Sequence, residues 1–92
     1  MTVATLCLEL LVTDCTTLRA KRRCTRAILD KLHRHFNVAV VELEDHDRAR
    51  ARLAIVTIAR TRREARERLG RVAAAVAAHP RAALLSQVIT EV

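Results

Sequence analysis

The chain of 92 residues contains one aromatic residue (Phe36), one glycine (Gly70), one proline (Pro80) and no tryptophan or tyrosine. A single glycine excludes the glycine-rich phosphate loops of nucleotide-binding proteins and the nucleophile elbow of hydrolases. The shortage of aromatic side chains excludes the stacking platforms on which single-stranded nucleic acids are usually bound. The longest apolar run, residues 72–78, is far shorter than the ~20 residues that a membrane span needs.

The three cysteines are an odd number and form no C-x-x-C pair, so they do not fit a disulfide framework or a zinc finger. Cys7 and Cys24 are interpreted as small apolar side chains, whereas Cys15 lies in a loop where a thiolate can be stabilised. No basic residue precedes Arg19, and Glu9 interrupts the first apolar stretch, so a signal peptide is not predicted. We expect a cytoplasmic protein without a metal or cofactor.

The hydrophobic period alternates between two and 3.6 along the chain. Period two predicts strands over residues 2–13, 38–46, 51–60 and 82–92. Helical spacing predicts a first helix over residues 18–36, capped by Thr17, and a second one that begins at the T-x-x-E capping box of Thr61 and ends at Pro80.

The resulting order, β-α-β-β-α-β, predicts a single α+β domain of the ferredoxin-like class over residues 1–92. In that arrangement four antiparallel strands lie in the order 4-1-3-2, and both helices cover one face of the sheet. The other face is too apolar to be left in water, so we expect a homodimer through it. The residues assigned to this dimer face are Val3, Cys7, Leu11, Val38 and Val40.

Seventeen basic residues, fifteen of them arginine, stand against 10 acidic ones and give a net charge of +7. Basic residues crowd the first turns of the first helix, where the macrodipole is already positive, so this helix needs an acidic partner. One possibility is the acidic hairpin, through Asp45 and Asp47. The other is a phosphate, which arginine binds with two parallel hydrogen bonds. The predicted phosphate-binding residues are Arg19, Lys21, Arg22, Arg23, Arg26 and Arg34.

A second basic patch is predicted at the opposite end of the sheet, from Arg60, Arg62 and Arg63. The rest of the second helix is expected to neutralise itself through the i,i+4 pairs Glu64–Arg68 and Glu67–Arg71.

One cluster of residues can support chemistry. Glu42, Glu44 and His46 alternate along one strand and can bind a metal or transfer protons. Charged side chains also protect edge strands from pairing with other chains, and this plainer interpretation is favoured. A ligand site at the open sheet face would use these residues together with Glu9.

The segment Leu18–Arg23, together with Phe36-Asn37-Val38 and Leu8-Glu9-Leu10, resembles the YlxP-like family of bacterial proteins of unknown function. The resemblance covers roughly residues 3–90, and it implies a ferredoxin-like fold. Genes of that family often lie near those for translation initiation and ribosome-binding factors, which implies a role associated with RNA or the ribosome. No catalytic residue is implied.

Two functions are therefore expected. The first is a non-catalytic, dimeric protein that binds RNA or a ribosomal particle through its first helix. The alternative is a dimeric ligand-binding or catalytic protein of a biosynthetic pathway, with a cavity at the open sheet face.

Overall fold

The computed structural model describes residues 1–13, 15–43 and 49–91. Its elements follow the predicted order, with strands β1, β2, β3 and β4 and helices α1 and α2. They are β1 Thr2–Val12, α1 Leu18–His35, β2 Ala39–Glu42, β3 Arg50–Ala59, α2 Arg62–Ala77 and β4 Ala82–Glu91. The end of the strand predicted over residues 38–46, after Leu43, lies outside the described residues.

The four strands form one antiparallel sheet in the order β2-β3-β1-β4. This is the predicted order 4-1-3-2 read from the other edge. β1 and β3 occupy the centre, where Leu6 lies opposite Ile55 and Cys7 lies opposite Ala54. A bulge between Glu9 and Leu10 shifts the register of β1 against β4.

One hydrophobic core lies between the sheet and both helices. β1 contributes alternate residues from Ala4 to Val12, and β3 contributes Leu53 and Ile55, which have no exposed surface. These residues form one cluster with buried residues of both helices, so α1 and α2 lie on the same face of the sheet. α1 contacts β2, whereas α2 contacts β1, β3 and β4.

Both helices are capped by the predicted threonines, Thr17 and Thr61. The Thr17 hydroxyl oxygen accepts a hydrogen bond from the backbone N–H of Ala20 at 3.1 Å. The Thr61 hydroxyl oxygen does the same for Glu64 at 3.1 Å. Each hydroxyl satisfies one of the N–H groups that a helix start leaves without a partner, which fixes the first turn.

The face of β2 was predicted wrongly. Val40 lies opposite the buried Ile55, and both Val38 and Val40 pack against the core beneath α1. Ala39 and Val41 instead point to the open face, opposite Val56 and Ala54. The error has a simple cause, since this short strand is apolar on both faces and its sequence does not fix its orientation.

No helix in the described ranges is long and apolar enough to cross a membrane.

Candidate functional site

Four arginines of α1 surround one pocket of about 450 Å³ between this helix and strand β2. They follow the spacing i, i+3, i+4, i+7, which places them on one helix face within two turns. Two further residues, Leu29 and Glu42, complete the lining. The arginines are Arg19, Arg22, Arg23 and Arg26, all exposed and all among the predicted phosphate-binding residues.

Among the described residues that line this pocket, four are positively charged and one, Glu42, is negatively charged. The first turn of α1 contains no acidic residue, and the positive end of the helix macrodipole lies there. Glu42 brings one negative charge to the pocket, but its carboxylate is already paired with the ammonium group of Lys21. Within the described lining, positive charge therefore predominates, which suits an anion with several oxygen atoms.

Lys21 was wrongly predicted to reach a phosphate. Its side chain has no exposed surface, and Nζ lies 3.3 Å from Oε2 of Glu42. This Oε2 atom is itself buried and has no partner aligned well enough for a hydrogen bond, so the contact is an ion pair. Lys21 lies on the same helix face as Thr25, which is also buried and donates its hydroxyl hydrogen to the Lys21 carbonyl oxygen at 2.9 Å. A lysine therefore belongs to the inner stripe of α1.

Arg34 is exposed near the end of α1 and does not line the pocket. It lies eight residues beyond Arg26, which corresponds to about 12 Å along a helix. The structure thus brings together four of the six residues of the predicted phosphate site. The other prediction for this region was that the basic residues of α1 pair with Asp45 and Asp47. Both aspartates lie outside the described residues.

The second basic patch is largely neutralised. Arg62 Nε lies 2.5 Å from Oε2 of Glu91, and Arg63 Nε lies 3.0 Å from Oε1 of Glu67. Arg60, the third residue of this patch, lines a separate surface depression together with Met1. This pairing was not predicted from the sequence, because Glu91 is far from α2 in the chain. Strand β4 brings it next to the helix.

The ion pairs of α2 also differ from those predicted. Glu67 pairs with Arg63, one turn before it, instead of Arg71. Arg68 is hydrogen-bonded to Thr57 Oγ1 at 2.7 Å and to the carbonyl oxygen of Ile58 at 3.0 Å. The Thr57 hydroxyl in turn donates to the carbonyl oxygen of Asn37 at 3.0 Å, so this arginine anchors α2 to the centre of the sheet.

The two described residues of the alternative ligand site, Glu9 and Glu42, lie on opposite faces of the sheet. Glu9 lies on the open sheet face, opposite Arg52. Glu42 lies opposite the buried Leu53 and points to the helix side. Glu44 and His46 lie outside the described residues. A cavity at the open face therefore includes Glu9 but not Glu42.

The three cysteines have different surroundings. Cys7 is exposed on the open face, and Cys24 is buried. Burial, with a smaller contribution from nearby Cys15, raises the pKa of the Cys24 thiol. Cys15 is half-buried, and its Sγ lies 3.5 Å from the carbonyl oxygen of Thr13. Cys24 is therefore an unreactive thiol at neutral pH.

The fold and this site define a small basic α+β protein with an arginine-lined pocket on its first helix. The sequence of residues 3–89 matches the family described as "Protein of unknown function (DUF503)". Because the match spans nearly the whole chain, the protein belongs to this family. No protein of curated function matches the chain.

Proposed function

We propose that this protein is a non-catalytic RNA-binding protein that holds phosphate groups of RNA, free or within a ribosomal particle, in the arginine pocket of α1. The observation that carries the proposal is the convergence of Arg19, Arg22, Arg23 and Arg26 on one pocket. Each guanidinium group presents several N–H donors in a fixed fork that matches phosphate oxygens. Four such groups within two helical turns can follow neighbouring phosphates of one backbone.

The kind of RNA follows from what the pocket offers. The one aromatic residue, Phe36, packs against the core and is not available for stacking on a base. Contacts through arginine alone read backbone position and shape, with little dependence on sequence. A folded RNA, whose phosphates are held at fixed spacings, suits this surface better than a flexible single strand.

The resemblance to the YlxP-like family supports the same function. The matching residues of that family's motif include Arg22 and Arg23, two of the four arginines of the pocket, and Arg19 replaces a lysine of the motif. The association of that family's genes with translation factors is the reason for choosing ribosomal RNA as the first substrate to test.

The test is a charge reversal that is matched elsewhere on the surface. The variant Arg19→Glu/Arg23→Glu/Arg26→Glu removes three arginines from the pocket. The control variant Arg60→Glu/Arg63→Glu/Arg71→Glu changes the net charge equally at three exposed positions that do not line the pocket. Binding to a labelled ribosomal RNA stem-loop is followed by fluorescence anisotropy, and binding to ribosomal subunits by co-sedimentation.

The pocket variant is expected to lose at least ~100-fold in affinity, and the control less than ~10-fold, because only the former loses direct phosphate contacts. Circular dichroism checks that both variants fold. The proposal is wrong if the two variants lose affinity equally, or if the wild-type protein binds neither the RNA nor the subunits.

A further inference from the structure

The open face of the sheet carries a row of small and apolar residues that crosses all four strands. Val41, Ala54, Cys7 and Val88 are successive neighbours in the register, from one edge of the sheet to the other. Val41 and Val88 are 55% and 57% exposed, and Ile58, further along β3, is 59% exposed. Both helices lie on the opposite face, so these side chains have no cover from the described residues.

We propose that a second copy of this chain covers the open face, related by a two-fold axis that runs parallel to the strands between β1 and β3. This proposal does not rest on the proposed function, since the arginine pocket lies on the other side of the sheet. The choice of a second copy comes from the pattern of charge on the face.

Glu9 and Arg52 are the residues that decide the partner. They lie opposite each other in the register of β1 and β3, the two central strands. Rotation about an axis between these strands exchanges their positions, so Arg52 of each copy faces Glu9 of the other. The interface then gains two identical ion pairs and brings no like charges together. A two-fold interface must be self-complementary in this way, because both partners contribute the same surface.

The charges available on one chain agree with this pairing. Glu9 has a 3.4 Å contact with Arg50, but that arginine is 61% exposed and the pair is weak in water. Within residues 1–13, 15–43 and 49–91, Arg52 is exposed and has no ion-pair partner. Glu9 can therefore accept a second guanidinium group, and Arg52 can pair with one carboxylate.

The apolar residues follow the same symmetry. The proposed axis places Val41 at one edge over Val88 at the opposite edge of the other copy, since β2 and β4 exchange sides. It also places Val3 over Ile58. Exposed apolar surface is thus buried against apolar surface over the part of the face from Val3 to Cys7, which supplies the main driving force for association.

The axis is tested by a charge exchange. Glu9→Arg and Arg52→Glu each bring two pairs of like charges together, so each is expected to raise the dimer dissociation constant at least ~10-fold. The double variant Glu9→Arg/Arg52→Glu restores both pairs and is expected to return within ~3-fold of wild type. Sedimentation equilibrium measures the constants.

A wild-type protein that stays monomeric at about 0.5 mM overturns the proposal, because its dimer dissociation constant is then in the millimolar range or weaker. A double variant as weak as the single variants overturns the proposed axis. Both outcomes leave RNA binding untouched, so they are distinct from a failure of the proposed function.

A second pair of variants separates face packing from pairing through the edge strand β4. Val41 lies on the open face in β2, at the opposite edge from β4. The variant Val41→Lys places a charge in the proposed interface and is expected to abolish the dimer. Ala74→Lys, on an exposed position of α2, is the matched control and is expected to leave it intact. If Val41→Lys also leaves the dimer intact, the face is not the interface.

In the wild type, the exposed Cys7 thiol is expected to react with a thiol reagent at least ~10-fold more slowly once the protein is dimeric.

Discussion

The ammonium nitrogen of Lys21 lies 3.3 Å from Oε2 of Glu42, and the lysine side chain is completely buried. This contact joins α1 to β2, the short strand at the edge of the sheet. Removing one member of such a pair leaves the other charge without compensation in a poorly solvated place.

Lys21→Met is expected to lower the free energy of unfolding by about 3 kcal/mol, the lower end for a broken buried pair, because Glu42 keeps some contact with water. Urea denaturation measures the change. The double variant Lys21→Met/Glu42→Leu removes both charges and is expected to recover most of the loss. A double variant as unstable as Lys21→Met would show that the ion pair is not the cause.

Arg26→Gln and Arg34→Gln remove the same charge from the same helix, inside and outside the arginine pocket. Arg26→Gln is expected to reduce the slope of log K against log salt concentration by about 0.7–0.9, the value for one lost phosphate contact. Arg34→Gln is expected to leave the slope nearly unchanged. RNA titrations at several potassium chloride concentrations measure it, and equal slopes for the two variants would contradict the assignment of the pocket.

Gly70 lies inside α2 without a packing reason. A Cβ added at this position would meet no heavy atom within 4 Å. Gly70→Ala is therefore expected to stabilise the protein by about 0.5–1 kcal/mol, the usual difference between these residues in a helix. Ala74→Gly, one turn further on an exposed position, is expected to have an effect of similar size and opposite sign. Thermal unfolding measures both, and a loss of stability in Gly70→Ala would contradict the open surroundings.

Glu91 accepts hydrogen bonds from Arg62 and Arg66, and the bond from Arg62 is the main reason that the pKa of Glu91 is lowered. A carboxyl group with a lower pKa in the folded state stabilises the fold above its unfolded pKa of about 4.3. This stability is lost as the pH falls from there through the folded pKa.

Arg62→Gln is thus expected to move the pKa of Glu91 upward, toward its ordinary value, and Arg71→Gln is expected to leave it in place. An NMR titration of the Glu91 carboxyl carbon measures this directly. An unchanged titration in Arg62→Gln would show that the pairing is not maintained in solution.

The order of strands and helices was predictable because most elements carry a clear period and each helix has a threonine cap. The ion pairs were not. Lys21 is buried only because Glu42 comes to it from another element, and Arg62 is neutralised only because Glu91 is carried there by β4. Partners this far apart in the chain are fixed by tertiary structure, which residue spacing does not show.

The orientation of β2 was unpredictable for a different reason. Residues 38–41 are apolar at every position, so both phases of the strand looked equally good. The pairing of Val40 with Ile55 decides between them, and the open face consequently exposes Val41 in place of Val40. By contrast, the alternating residues of β1 assigned Val3, Cys7 and Leu11 to the open face, where the structure places them.

The arginine pocket and the open face lie on opposite sides of one sheet. A dimer joined through the open faces therefore carries one pocket on the helix side of each sheet, and the two sheets pack about 10 Å apart. Because the proposed axis also places the two β2 strands at opposite edges of the dimer, the two pockets do not face the same short RNA helix. Such a dimer is a bridge: it can gain avidity from two separate RNA segments brought around it, and a monomeric variant would bind each segment with the affinity of a single site.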